Sequence, residues 1–321
     1  MARNRIIYQS ESVKVGNQTA IGVQSVSYGL DVTREDVLQF GDLGAVDRII
    51  LEAPVANMEV SMYVNGLKGD FLNGILQSGV AGSGISCIAS LGAEGTDFNA
   101  AAASMSSVGI VSGSLTSLSA EASVGAIPTL TMGFEGIDLD YGPSDAPAGT
   151  PATDINVATQ SGVVVDVSNL QGTGFTGHYV HPQSCSVSFD LGVEGLQELS
   201  YKAPTVGSTN KYQYARVPSY PATASMELEA FAVDRGMSMT LATLQQKAGE
   251  GNTNVAESGG KCNVGVDMGG TTFNLINSTL DSVSFSSSIG DTAATCNATF
   301  SVSIGGPNSN SRLDIAGTVG P

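Results

Sequence analysis

Three hundred and twenty-one residues are enough for two domains, each able to bury a core of its own. Forty glycines, no tryptophan and only 13% charged residues are unlike a helical enzyme, and 41% hydrophobic residues exclude a disordered chain. Thirteen basic against thirty acidic residues leave a net charge of −17, which excludes adhesion to a nucleic-acid backbone or an anionic membrane over most of the surface.

In chain order, the first segment carries Arg3 and Arg5 but no apolar stretch long enough for a signal h-region. No later run approaches a membrane span, so a soluble, unprocessed chain is expected. Residues 23–30 read as a first strand. Residues 58–64 alternate Met58, Val60, Met62 and Val64 with Glu59, Ser61 and Tyr63, the period of a strand buried on one face. Asp70 to Leu76 predicts a short amphipathic helix. Residues 105–112 and 122–132 read as two further strands, the first with Val108 and Ile110 on one face and small Ser or Gly on the other. Residues 141–151, rich in Gly, Pro and Ala, have the composition of a linker. Beyond it, residues 226–232 repeat the alternation of 58–64. Met237, Leu241 and Leu244 then repeat the helix signal at i, i+4, i+7. Residues 280–287 and 298–304 read as strands, with Val283 and Phe285 sharing a face.

Much of the second half thus restates the first. Ser25-Val26-Ser27-Tyr28 matches Ser186-Val187-Ser188-Phe189 at an offset of 186 − 25 = 161. Met58-Glu59-Val60-Ser61-Met62-Tyr63 matches Met226-Glu227-Leu228-Glu229-Ala230-Phe231 at 226 − 58 = 168, and Arg48 falls on Arg216. Cys87 with Cys262, and Ser107-Val108 with Ser282-Val283, give 262 − 87 = 175; Ala122 with Ala298 gives 176. Offsets that only grow suggest a duplicated domain with insertions in the second copy, at the Gly/Ser/Asn/Pro-rich residues 202–215 and 248–258. The expected fold is mainly β: two tandem copies of a β-sandwich or half-barrel, each with one short α-helix. Copy one spans residues 1–141, a Pro/Gly/Ala linker 142–154 and copy two 155–321.

Signals for catalysis are weak. Gly172-Thr173-Gly174-Phe175-Thr176-Gly177 fits a dinucleotide fingerprint, but His178-Tyr179-Val180-His181-Pro182 cannot open the helix that should receive a pyrophosphate. Asp267-Met268-Gly269-Gly270-Thr271-Thr272 resembles a sugar-kinase phosphate loop, yet lies in a late β segment and reads as a β-turn. His178 and His181 are the only histidines, and without an acidic or thiol neighbour they predict neither a metal site nor a hydrolase triad. The carboxylate pairs Asp138/Asp140 and Glu227/Glu229 lack the aromatic platform of a glycosidase. Cys87, Cys185, Cys262 and Cys296 are spaced for neither zinc nor a disulfide framework and read as buried thiols. No enzyme, cofactor or metal is expected.

The opening Met1-Ala2-Arg3-Asn4-Arg5-Ile6-Ile7-Tyr8-Gln9-Ser10-Glu11 and the repeated strand–helix unit resemble the tail tube (major tail) protein of long-tailed bacteriophages, in the form whose tube domain is doubled. The resemblance implies that the sheets of adjacent subunits join into one barrel around a channel. It also implies homotrimeric rings of pseudo-sixfold symmetry, stacked by the long loop after the second strand. Its setting would be the virion tail, built in the host cytoplasm, with terminator, tape-measure and distal-tail proteins at the tube ends. Double-stranded DNA would pass through the lumen unbound, and no membrane or cofactor is implied.

Duplex DNA carries a charge every ~1.7 Å and would adhere to a basic lining, so an acidic wall accounts for the net charge. Glu59, Ser61, Glu227 and Glu229, on the polar face of matching strands, are the lumen candidates; the exterior is the alternative placement. Residues 33–47 and 194–215 are the expected stacking loops. There Asp36, Asp42 and Asp47 would meet cations of the next ring, with Arg48 and Arg216 as candidate partners. A tandem immunoglobulin-like carbohydrate-binding or adhesin protein is the alternative function.

Overall fold

The computed structural model describes residues 11–92, 106–142, 156–159, 162–169, 182–198, 213–231, 261–288, 293–304 and 312–318. In the first half these form β1 (Glu11–Val15), β2 (Gln18–Ala20), β3 (Val23–Asp31), β4 (Arg34–Leu38), β5 (Ala45–Ile50), β6 (Val55–Tyr63), α1 (Gly69–Val80), β7 (Ile85–Leu91), β8 (Ser106–Ser123), β9 (Thr129–Gly136) and β10 (Asp140–Tyr141). The second half contributes β11 (Val163–Asn169), β12 (Pro182–Asp190), β13 (Val193–Glu198), β14 (Gln213–Pro218), β15 (Ala222–Phe231), β16 (Lys261–Met268), β17 (Thr272–Ser286), β18 (Thr295–Ile304) and β19 (Leu313–Ala316). The protein is mainly β, as composition and patterning imply. The linker, the Gly172–Gly177 motif, both histidines and the second helix signal lie outside the described residues.

One antiparallel sheet runs through both halves in the order β3-β6-β9-β8-β12-β15-β18-β17. Behind it β2-β1-β7 pairs with the N-terminal part of β8, and β11-β16 pairs with that of β17. β8 is a single strand of 18 residues that serves both layers. It carries the strand expected at residues 105–112 on to Ser123, and the strand expected at residues 122–132 is broken by a turn at Gly125 (φ +85°) before β9 begins at Thr129. Patterning misplaced this break because alternation continues through Leu118, Ala120 and Ala122.

The pairing order β3-β6-β9-β8 recurs as β12-β15-β18-β17, and the ribbon β4-β5 recurs as β13-β14. Bulges recur as well. Those at Val23/Ser25 and Pro182/Ser184 differ by 182 − 23 = 159, those at Leu115/Ser117 and Leu280/Ser282 by 280 − 115 = 165, and those at Ile85/Cys87 and Cys262/Val264 by 262 − 85 = 177. Laid over one another by these bulges, Ser61 falls on Glu229 (229 − 61 = 168) and Phe134 on Phe300, each phenylalanine facing a leucine, Leu115 or Leu280. The 168 match of the sequences agrees. The 161 match slides by 2 residues, the 175 match by 2 at Cys87/Cys262 and by 10 at Ser107/Ser282, and Ala122 belongs to β8 whereas Ala298 belongs to β18. Period-two Ser/apolar strings look alike under any even shift, which keeps every side chain on its face.

The core does not divide by halves. Met58, Met62, Leu118, Met132 and Phe134 belong to one buried cluster with Phe189, Met226, Phe273 and Phe300. In α1, Leu72, Ile75, Leu76 and Val80 turn one stripe inward, and Asp70 in the first turn favours the positive end of the helix dipole. The Asp70 carboxylate also accepts from the Gly317 amide at 3.1 Å, while the Asp70 amide donates to the Gly317 carbonyl. Buried Asn65 donates to the carbonyls of Asn156 (2.8 Å) and Gly269 (3.0 Å) and accepts from the Thr271 hydroxyl (3.0 Å). The Tyr220 hydroxyl donates to the Val80 carbonyl at the end of α1.

Candidate functional site

The eight-strand sheet has one dry face and one wet one. Along β6 and β15 the burial alternates without a break: Met58, Val60, Met62, Met226 and Leu228 are buried, while Glu59 and Glu227 are exposed and Ser61 and Glu229 half-buried. The four residues singled out from the sequence therefore do share one polar face.

Strand register organises that face into rows. Ser25, Ser61, Thr131, Ser119, Ser188, Ser225, Ser301 and Thr279 are successive cross-strand partners, a file of hydroxyls over eight strands. Ser188 and Ser225 hydrogen-bond within it at 2.7 Å, and Thr131 donates to Ser61 at 3.3 Å. Carboxylates flank the file. Tyr63, Thr129, Glu121, Ser186, Glu227 and Thr299 form the row on one side, and Ser27, Glu59, Gly133, Ser117, Asp190 and Thr223 the row on the other. Glu229 accepts from the Ser184 hydroxyl at 3.1 Å. No lysine or arginine stands at any of these positions. Two open hollows follow the face, one of about 560 Å³ over Glu121, Ser186, Glu227 and Glu229 and one of about 430 Å³ over Ser27, Glu59 and Ser117. Glu121 and Asp190 escaped the sequence reading because the first lies deep in an underestimated strand and the second at a strand end. Alternation along β8 carried the signal for Glu121.

Hydroxyls and carboxylates hold water, and carboxylates without cationic partners repel a polyanion. Among the described residues no group of three metal-ligating side chains is assembled.

The sheet ends differently from its middle. Among the described residues β3 has one hydrogen-bonded neighbour, β6, and the last part of β17 has one, β18. Both edges carry core-side apolar residues that stay in water: Tyr28 and Leu30 on β3, at 42% and 39% exposure, and Phe285 on β17, at 51%. Solvent-facing apolar edge strands are an association hazard unless something covers them.

The expected stacking loops contain two-stranded ribbons, β4-β5 and β13-β14. The turn of β4-β5 presents Leu38, Phe40 and Leu43 almost entirely to solvent. Arg48 pairs with Asp36 across its own ribbon at 3.1 Å, both well exposed, and the Arg48 amide donates to Asp47. The cation expected to reach another ring thus already has a partner. Asp42 sits in the turn, its amide donating to the Gln39 carbonyl. Arg216 stands on β14 opposite Gly195, and its side chain lies outside the described residues.

The kinase-like string is a β-turn between β16 and β17. Gly269 and Gly270 have φ of +76° and +104°, and the Gly270 amide donates to the Asp267 carboxylate at 2.7 Å. Of the carboxylate pairs, Asp138 and Asp140 bracket buried Leu139 at the start of β10. Cys87, Cys185 and Cys296 are buried free thiols; burial pushes Cys185 up to about 11, against a smaller lowering by the Ala122 backbone hydrogen bond. No family model matches the chain, and no curated protein matches it.

Proposed function

We propose that this protein is a structural subunit that assembles edge to edge into rings. Its polar sheet face would line a channel for double-stranded DNA, as in the tail tube of a long-tailed bacteriophage. The observation that carries this reading is the file of eight hydroxyls flanked by carboxylates and free of cations, spread over a sheet whose two outer strands each have a single neighbour there among the described residues. An enzyme concentrates its polar groups at a point; this chain spreads them over a wall. A wall of that kind lets a polyanion slide because it provides no cationic phosphate contacts.

The recurring pairing order and coincident bulges support two copies of one tube fold per chain. Three chains would then supply a ring of six similar units, and the apolar ribbon turn at Leu38, Phe40 and Leu43 would face the next ring. Terminator, tape-measure and distal-tail proteins would meet the tube ends in the virion. The test is negative-stain microscopy of the purified chain over a concentration series, followed by a DNA-retention assay on the assemblies. Rings or tubes that do not retain duplex DNA at low salt are expected. Monomers at high concentration, or tubes that bind DNA tightly, would overturn the proposal.

A further inference from the structure

The chain contains one finished seam. β8 of the first half pairs with β12 of the second through Leu118–Phe189, Ser119–Ser188 and Ala120–Val187. By the bulge matches, β8 corresponds to β17 and β12 to β3, the two strands left open at the ends of the sheet among the described residues. We infer that the inner seam is the template for the contact between chains: β17 of one copy pairs antiparallel with β3 of a second, Val283 opposite Leu30 and Phe285 opposite Tyr28. This inference rests on the assembly reading and adds its register.

Leu118 + 165 gives Val283 and Ala120 + 165 gives Phe285; Phe189 − 159 gives Leu30 and Val187 − 159 gives Tyr28. Three of these outer residues, Tyr28, Leu30 and Phe285, are large apolar side chains exposed at 39–51%, as residues missing a partner should be. Their inner counterparts, Leu118, Phe189, Ala120 and Val187, are fully buried. On the polar face the same register sets Asp31 opposite Ser282, repeating the inner Asp190–Ser117 pair in kind. The contact is heterologous, one edge to a different edge, so it propagates around a ring and does not stop at a dimer.

Barrel geometry gives an independent check. Inside one chain the hydroxyl file runs from Ser25 to Thr279. Opposite pairs at the outer seam sum to 285 + 28 = 313, which brings Ser25 of the neighbour level with Ser288. One of the residues between Thr279 and Ser288 is the extra residue of the bulge at Leu280/Ser282, so the file climbs 288 − 279 − 1 = 8 residues for every eight strands. At ~3.4 Å per residue and ~4.8 Å between strands this is a tilt of about 35°, at the lower end of the range of roughly 35–45° at which sheets close into barrels.

Disulfide trapping decides the register. In a Cys296→Ala background, needed because Cys296 is the partner of Phe285 within the chain, Tyr28→Cys/Phe285→Cys and Leu30→Cys/Val283→Cys should each give a ladder of covalent oligomers on mild oxidation. Tyr28→Cys/Val283→Cys, the pair that a two-residue slip would bring together, should give none. If rings form but only the slipped pair cross-links, or no pair does, this register is wrong and the assembly reading stands. If the parent chain stays monomeric at every concentration, both fall. Phe285→Glu, at a half-exposed position on the open edge, should fold with an unchanged circular dichroism spectrum yet lose assembly; assembly at the parent's level would overturn the seam.

Discussion

The two faces of the long sheet divide the labour of the molecule. On the dry face, size and shape decide: Phe134 and Phe300 face Leu115 and Leu280 in a core common to both halves. On the wet face, Tyr63 apart, the side chains are small or acidic. The lesson is that alternate residues of a single strand can answer to folding and to function almost independently, so each face should be breakable without the other.

The largest expected effect is on the dry face. Phe300→Ala should lower unfolding free energy by about 3–5 kcal/mol, read as a shift in urea midpoint. Because the core is continuous, unfolding should stay a single transition; two transitions would show that the halves fold apart. Next comes Asn65→Ala, which strands two carbonyls and the Thr271 hydroxyl and should cost about 1–3 kcal/mol. A smaller effect, on the same dry side, is pH-dependent. Cys185 has its folded value raised from 9.0 to about 11, so its contribution is complete below pH 9 and declines as the unfolded thiol ionises. Melting temperature should therefore fall between pH 9 and 11, and less steeply in Cys185→Ala.

The surface changes should be nearly silent in stability. Arg48→Glu removes an exposed ion pair worth about 0–1 kcal/mol; if tube length and assembly are also unchanged, Arg48 has no part in stacking. Glu59→Lys/Glu227→Lys should stay within about 0.5 kcal/mol of the parent per site, yet convert assembled tubes into DNA binders with a salt-dependent affinity. Unchanged DNA retention would remove the wet face from the channel.

What the sequence disclosed follows the same division. Met58 to Met62 alternates so cleanly that face and burial were legible, as was α1 from Asp70 and its apolar stripe. Glu59, Ser61, Glu227 and Glu229 fell on the wet face for the same reason. The length of β8 was hidden because alternation carries no mark where a strand passes from one layer to another. Pairing partners were hidden too, since period-two strings tolerate any even slip; only bulges, which sequence does not announce, fixed the correspondence of Phe134 with Phe300. Nothing in the sequence marks Tyr28, Leu30 and Phe285 as exposed. Their exposure depends on which strands end up outermost, a property of topology.

Joining β8 to β12 within one polypeptide has a consequence for how a ring would nucleate. A strand tethered to its mate meets it at an effective concentration set by the connecting chain, up to the millimolar range for short flexible links, whatever the amount of protein present. In a three-chain ring half of the six junctions would thus form during folding, leaving three to diffusion. Closure should then follow a lower power of concentration than for a ring of six separate domains, and the covalently linked junctions would be the last to part when the ring is diluted.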